Sequence, residues 1–198
     1  MTKTNRRVGR TRELLQKALI ELIAERGYGA ITIQDIVDHA NVGRTTFYLH
    51  YNSKDELFMS CHETIVGEFQ IRPQHPLFRE ELLSPEAPSG MISAYRHLEE
   101  RRTLLYSIFQ GKDSLMILRQ IRERSALEIE ANLRTVFTEA ESTVPLGMLA
   151  NYLAGAQIAL MQWWLEKHRP YTPDNLTQTL HRLQCAAIRE AFGLRDGE

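Results

Sequence analysis

Apolar residues recur every three or four positions along most of this chain, which is the spacing of one face of an α-helix. In the segment 11–27, TRELLQKALIELIAERG, the positions that form this stripe are Leu15, Ala18, Leu19, Leu22 and Ile23. No segment shows a convincing strand pattern. The pattern predicts an all-α protein of about nine helices, with three small helices in residues 10–51, one connecting helix and about five in a larger body.

Turn and capping signals divide the first part of the chain into short helices. Thr32 and Asp35 have the spacing of a capping box at the start of a second helix. Asn41 tolerates the left-handed conformation that ends a helix, and Gly43 suits the start of a short third helix, RTTFYLHY. A fourth helix is predicted to begin at a second capping box, SKDE, whose first residue is Ser53.

A supporting helix, a second helix, a three-residue turn and a short helix form the layout of a helix-turn-helix DNA reader. The short helix of such a motif lies in the major groove, where arginine contacts guanine and threonine contacts the thymine methyl group. Arg44 and the threonines after it are therefore candidates for base contacts. The side chains that suit phosphates are Tyr48, His50, Tyr51 and Lys54. The alternative is a helical hairpin used only for packing, but the helix has more polar donors than packing around Phe47 requires.

Basic residues are concentrated at the N-terminal end of the chain. The net charge is −1, yet residues 1–50 hold eight Lys or Arg and five Asp or Glu, whereas residues 51–198 hold sixteen and twenty. The first twelve residues contain five basic residues and no acidic residue. This asymmetry indicates a polyanionic partner for a basic N-terminal arm. A solvated tail explains the charge alone equally well.

The run GYGAITIQDIVDHANVGRTTFYLHYNSKDELF resembles the N-terminal signature of the TetR/AcrR (tetracycline-repressor) family of bacterial regulators. The positions that match the family pattern are Gly27, Tyr28, Thr32, Ile36, Ala40, Val42, Phe47, Tyr48, His50, Lys54 and Leu57. Three positions depart from it, because Asn41 replaces the usual glycine, Gly43 the usual serine and Val37 the usual alanine. None of these departures removes a DNA-contacting residue type. The specific resemblance covers about residues 10–60.

This resemblance implies a homodimeric transcriptional regulator, expected to be a repressor, that binds double-stranded DNA at a palindromic operator. It implies that Arg44, Thr45 and Tyr48 face the groove. The positions that it places at phosphates are Thr32, Gly43, Thr46, His50, Tyr51 and Lys54. It also implies phosphate or minor-groove contacts from the arm residues Arg6, Arg7 and Arg10.

The C-terminal body carries an expected dimer interface on two helices, 145–168 and 173–192. The resemblance implies that these helices pair with their copies as a four-helix bundle. The candidate interface residues are Leu149, Tyr152, Ala156, Leu176, Leu180, Leu183 and Ala187. We therefore predict a helix-turn-helix domain in residues 1–52, a connecting helix in 53–70, and a ligand-binding and dimerisation domain in 71–198.

The resemblance also implies a pocket in the body for an unidentified small-molecule effector, which would alter operator affinity by reciprocal coupling. The aromatic and methionine residues that are candidates for its lining are Phe69, Tyr95, Tyr106, Phe109, Met116, Met161 and Trp163. Plain core packing is the competing interpretation for each of these side chains.

Other classes of protein are disfavoured by the sequence. Residues 142–165 carry no charge and are long enough to span a bilayer. Three polar residues, Asn151, Gln157 and Gln162, interrupt them, which favours a buried helix over a membrane-spanning one. Cys61 and Cys185 fit buried thiols of a protein in the reducing cytoplasm. The sequence shows no metal-site, cofactor or enzyme motif. The remaining alternative is a helical scaffold whose N-terminal domain binds protein rather than DNA.

Overall fold

The computed structural model describes residues 3–68, 79–103, 105–106, 114–166 and 171–194, without the side chains of residues 3–7, 62–68, 81 and 114. Within these ranges the chain is helical and contains no β-strand, which confirms the predicted all-α class. The α-helices are α1 (Lys3–Arg26), α2 (Ile33–His39), α3 (Arg44–Tyr48), α4 (Lys54–Glu68), α5 (Arg79–Leu82), α6 (Ser89–Glu100), α7 (Ser114–Val136), α8 (Leu146–Glu166) and α9 (Pro173–Ala191). Two 3₁₀ turns lie at Tyr28–Ala30 and Glu139–Glu141.

The chain divides into two compact units. The first contains Met1–Ile65 and Thr103–Met116, and the second contains Val66–Arg102 and Ile117–Glu198. In the first unit α1 packs on α2, and α2 packs on α3. The predicted apolar stripe of α1 forms part of this core, since all five of its members are buried. Burial of such side chains is the main force that holds short helices in place.

A capping box starts α2, as the sequence predicts. The Thr32 hydroxyl accepts a hydrogen bond from Asp35 N, and the Asp35 carboxylate accepts one from Thr32 N at 2.7 Å. Hydrogen bonds from the side chain and the backbone of Thr32 hold the pKa of Asp35 below its usual value. Two backbone N–H groups that the helix leaves unpaired are thereby satisfied.

The turn between α2 and α3 ends one helix and begins the next within a few residues. Asn41 has a φ of 52°, the left-handed conformation predicted for it. Its N–H donates to Asp38 O at 3.2 Å, and Val42 N donates to Val37 O at 2.9 Å, which is the hydrogen-bond pattern of a Schellman motif. Gly43 is the N-cap residue of α3 and supplies no side-chain cap.

The start of α4 differs from the predicted capping box. The Ser53 hydroxyl accepts a hydrogen bond from Glu56 N at 3.1 Å, as expected. The Glu56 carboxylate, however, accepts hydrogen bonds from the backbone N and the side-chain Nδ2 of Asn52, at 2.7 and 2.9 Å. Asn52 offers two donors to the Glu56 carboxylate, whereas the Ser53 backbone offers one. The carboxylate therefore bonds to Asn52, one residue before the expected partner Ser53.

In the second unit, α9 packs against α6 and α8. Helix α9 has Thr172 as its N-cap and Pro173 at its first position. It is followed by Gly193, which has a φ of 61°. At its C-terminal end, the rings of Phe137 and Phe192 stack with centroids 3.8 Å apart. No helix in the described ranges, including α8 with its single charged residue Glu166, has the length and apolar character needed to cross a membrane.

One row of side chains on α9 holds the backbone of the segment 82–87, which leads into α6. The members of this row, at successive turns of the helix, are Gln178, His181, Cys185 and Arg189. Their backbone partners are Pro85 O and Ala87 N for the glutamine, Ser84 O for the histidine, Leu82 O for the cysteine and Leu83 O for the arginine, at 2.5 to 3.5 Å. Side chains of a single helix therefore satisfy four of the six carbonyl oxygens of this segment and one of its N–H groups.

Candidate nucleic-acid interface

Helix α3 buries one side and exposes the other. Phe47 is fully buried and is the anchor predicted from the sequence. Its ring meets the ring of Tyr48 edge-on, with centroids 5.5 Å apart. Arg44 and Thr45 are exposed, and 47% of Tyr48 is exposed. The residues expected to face the groove therefore share the exposed side of the helix.

Arg44 and Tyr48 lie one helical turn apart and are in contact. The guanidinium carbon of Arg44 lies 5.9 Å from the centre of the Tyr48 ring. Attraction between the cation and the ring face restricts both side chains without removing the donors of the guanidinium group. The exposed side of α3 is therefore a polar surface on which the arginine has a restricted position. Arginine is the residue type that contacts guanine most often.

Other residues expected at phosphates surround this surface to different extents. Thr32 and Gly43 are exposed, whereas Thr46 and His50 are half-buried. The expected basic arm is helical from Lys3 onwards, as the first part of α1. Its Arg10 side chain is exposed. The side chains of Arg6 and Arg7 lie outside the described residues.

Tyr51, expected to contact a phosphate, does not lie on this surface. Only 2% of the residue is exposed, and its hydroxyl accepts a hydrogen bond from Ser60 Oγ at 3.0 Å. The Arg12 guanidinium carbon covers the ring at 5.4 Å from its centre. The sequence contains the signal for this burial, because Tyr51 follows the buried Phe47 by four positions and thus shares its side of the helix.

Lys54, also expected at a phosphate, is engaged within the unit. Its Nζ donates to Tyr28 O and to Ile31 O, both at 2.8 Å, and lies 4.1 Å from the centre of the Tyr28 ring. The Tyr28 hydroxyl donates to the Asp55 carboxylate. These contacts fasten the turn between α1 and α2 to the first turn of α4. The signature tyrosine and lysine are thus partners of each other, which sequence reasoning missed.

Leu49 was also missed by sequence reasoning. It follows α3 directly and is 78% exposed. It lies four positions after Thr45, so both residues are on the same side of the helix. An exposed leucine beside polar residues is an apolar feature of the candidate interface.

The expected pocket residues differ in burial. Tyr95 and Met161 are buried, whereas Tyr106, Met116 and Trp163 are exposed. The two expected residues that lie outside the described ranges are Phe69 and Phe109. The Tyr95 hydroxyl is buried and has no hydrogen-bond partner among the described residues. Burial raises the pKa of this phenol.

The expected dimer residues fall on two sides of their helices. Those that are buried within their own unit are Leu149, Leu176 and Leu180. Tyr152 and Leu183 are 63% and 58% exposed. Ala156 is exposed and Ala187 is half-buried. The three buried leucines pack within their own unit, and Leu183 is the member of the α9 leucine spacing that stays available to a partner. The exposed side of α8 includes two further large residues, Met148 and Trp163.

Residues 15–61, which include α2, α3 and the turn between them, match the family model for bacterial regulatory proteins of the tetR family. The N-terminal part of the chain therefore resembles the TetR family of bacterial regulators. The match covers the helices of the candidate interface and ends at Cys61 within α4.

Two curated TetR-like relatives come from Bacillus subtilis (strain 168). The HTH-type transcriptional regulator YxbF is 49% identical over 67 residues, which cover 31% of this chain and 18% of YxbF. The fatty acid metabolism regulator protein is 26% identical over 120 residues, which cover 60% of this chain and 56% of that protein. The chain thus matches well under two thirds of the length of either relative.

Solved structures of TetR-family regulators share the fold over nearly the whole chain. A regulator from Syntrophomonas wolfei superposes with a TM-score of 0.64 at 16% identity, covering 96% of this chain and 99% of that one. NalD of Pseudomonas aeruginosa, the secondary repressor of the MexAB-OprM multidrug efflux pump, gives a TM-score of 0.59 at 19% identity, covering 96% and 98%. At these identities the likeness concerns the fold alone.

Proposed function

We propose that the chain is a homodimeric, sequence-specific DNA-binding transcriptional repressor whose operator affinity changes when a small molecule binds the second unit. The observation that carries DNA binding is the exposed side of α3. A five-residue helix with a buried phenylalanine presents an arginine, a threonine and a tyrosine to solvent. The Schellman turn before it fixes the direction in which these groups point.

Phosphate contacts in this proposal come from groups around α3. Thr32 and Gly43 are exposed at the starts of α2 and α3, and Arg10 is exposed on α1. Backbone N–H groups at helix starts and arginine side chains are typical phosphate donors. Lys54 has a different role here, because it positions the helices that carry the contacts.

Dimerisation is supported by an apolar surface on α8 and α9. Its large exposed members are Met148, Tyr152, Trp163 and Leu183. Large apolar side chains exposed on two helices that pack together are typical of an interface. Two copies would present two reading helices, as helix-turn-helix dimers do when they bind half-sites about one helical turn apart.

Effector binding is supported by the Tyr95 hydroxyl. A buried hydroxyl without a partner costs about 1–3 kcal/mol, and a bound molecule with a hydrogen-bond acceptor would remove that cost. The Tyr95 and Trp164 ring centroids lie 6.1 Å apart, which gives such a molecule an aromatic surface. NalD, which shares this fold, is a repressor, and this favours repression as the regulatory effect.

The test is a salt series of binding to DNA that flanks the gene of this protein and to duplexes selected from a random pool. If a dimer neutralises about five phosphates, affinity should fall roughly 10²- to 10³-fold between 50 and 200 mM salt. Tyr48→Ala should weaken binding about tenfold through loss of a positioned hydroxyl and ring, without a change in thermal midpoint. Tyr106→Ala is the matched control, since it removes another tyrosine of similar exposure.

The result that contradicts DNA binding is the absence of salt-sensitive binding to any duplex, including at low salt. The helical scaffold would then be the better interpretation, and its protein partner should bind with little salt dependence. Equal affinity of Tyr48→Ala and the unaltered chain for a selected duplex would show that α3 is oriented differently on DNA.

A further inference from the structure

Leu49 is exposed at the end of α3 without a packing role that explains it. Its backbone N–H donates to Thr45 O at 3.2 Å, so the helical geometry continues through this residue. The Leu49 side chain therefore lies one turn beyond the exposed Thr45 side chain. Together the δ-methyl groups of the leucine and the γ-methyl group of the threonine form a short apolar strip on the exposed side of α3.

Polar groups lie beside this strip. The contact between the Arg44 guanidinium and the Tyr48 ring occupies the neighbouring row of the same helix. The partner of α3 must therefore offer an apolar group of small size next to hydrogen-bond acceptors. The charge of the N-terminal end, with five basic residues and no acidic residue in the first twelve, favours a polyanion over a protein surface.

We propose that the Leu49 and Thr45 methyl groups read the 5-methyl group of thymine in the major groove. This inference rests on the proposed DNA-binding function and adds a chemical requirement to it. The thymine methyl group is the apolar group that base pairs display in the major groove, and it lies beside the acceptors that an arginine contacts. Each half of the operator thus requires a thymine at the position that faces the end of α3.

The experiment removes the methyl group from the DNA and from the protein separately. The full chain first selects its preferred duplex from a random pool. Each thymine of that duplex is then replaced by deoxyuridine, which pairs as thymine does and lacks only the 5-methyl group. Binding is measured for the unaltered chain, for Leu49→Ala and for Thr45→Ser, which keeps the hydroxyl and removes the methyl group. Leu127→Ala, a change of another exposed leucine in the second unit, is the matched control.

We expect deoxyuridine at one position of a single half-site to weaken binding of the unaltered chain about fourfold, the factor supplied by burial of one methyl group. In Leu49→Ala or Thr45→Ser the same replacement should change affinity by less than about twofold, because its apolar partner is already missing. Leu127→Ala should behave as the unaltered chain. The thermal midpoint of Leu49→Ala should not change, since the side chain is exposed.

The outcomes separate this inference from the function on which it rests. If no duplex is enriched, both the DNA-binding proposal and this inference are wrong. An enriched duplex without a thymine in its half-site overturns only the inference. So does a deoxyuridine effect that has the same size in the unaltered chain, in Leu49→Ala and in Thr45→Ser.

Discussion

Gly27 has a backbone conformation that other residues rarely adopt. Its φ is 76° and its ψ is 154°, in a region that is essentially restricted to glycine. An added Cβ would meet nothing within 4 Å, so any cost of a larger residue comes from the backbone rather than from a clash. This conformation lets the chain leave α1 and enter the turn that Lys54 holds.

We expect Gly27→Ala to lower the free energy of unfolding by about 1–3 kcal/mol. Gly9→Ala is the matched control, because Gly9 lies within α1 and also has free space around its Cβ position. That change should raise stability by about 0.5–1 kcal/mol. Urea unfolding followed by circular dichroism measures both. Equal effects of the two alanines would contradict the backbone argument.

Residue types at the candidate site were easier to predict than their surroundings. Arg44, Thr45 and Tyr48 were expected on the exposed side of α3 and lie there. Tyr51 and Lys54 have side chains equally suited to phosphates. Tyr51 is buried, because it lies four positions after the buried Phe47. Lys54 donates to carbonyl oxygens of a turn that is distant in sequence. Chemistry identifies candidates, whereas packing decides which of them meet solvent.

At the scale of the element, the Thr32 cap determines where α2 begins. Thr32→Ala removes the hydroxyl that accepts from Asp35 N and should cost about 1 kcal/mol of stability. Thr32→Ser keeps the hydroxyl and should retain most of that stability. Thermal unfolding monitored at 222 nm compares the three proteins.

The same change has a consequence for Asp35. The side-chain hydrogen bond of Thr32 is the main cause of the lowered pKa of this carboxyl group, so Thr32→Ala should raise that pKa towards its ordinary value. A lowered pKa in the folded state stabilises the fold above the unfolded pKa, and this contribution is lost as the pH falls through the folded pKa. An unchanged Asp35 titration in Thr32→Ala, followed by NMR, would contradict this assignment.

Helix ends marked by local signals were predictable from the sequence. Asn41, Thr172 and Gly193 have the conformations or capping roles expected of their residue types. The start of α1 was not predictable in this way, because its first turns are basic and lack the apolar stripe that begins at Leu15. A periodic pattern reports the part of a helix that faces a core, not the part that extends beyond it.

At the scale of the whole molecule, the apolar surface of α8 and α9 is expected to be an interface between two copies. Tyr152→Arg combined with Leu183→Glu should weaken dimerisation at least about thirtyfold, since the partner would have to bury charge. Operator affinity should fall with it, while helix content stays the same. Sedimentation equilibrium at micromolar concentration measures the change.

Leu127→Glu is the control for this pair, because it adds charge at another exposed leucine. It should leave dimerisation unchanged. A strictly monomeric unaltered chain at the same concentration would refute the homodimer proposal altogether.

The fold class of the molecule was predictable, but the use of its apolar surfaces was not. Leu176 and Leu180 have the spacing of a helix–helix seam, and the structure buries them within their own unit. Tyr152 and Leu183 remain exposed on the same pair of helices. Periodicity shows that a surface is apolar, whereas the three-dimensional arrangement determines whether the same chain covers it.

The row of side chains on α9 that holds the segment 82–87 implies unequal tolerance of sequence change. Backbone polar groups are the same for every residue except proline, which lacks the N–H. The hydrogen bonds from Gln178 and Arg189 to this segment therefore depend little on which side chains the segment carries. Exposed positions of the segment, such as Glu86, can therefore drift during evolution. Replacement of a side chain in the α9 row would instead leave carbonyl oxygens of the segment unpaired. The sequence of the segment 82–87 should therefore diverge faster than the sequence of the α9 row that binds it.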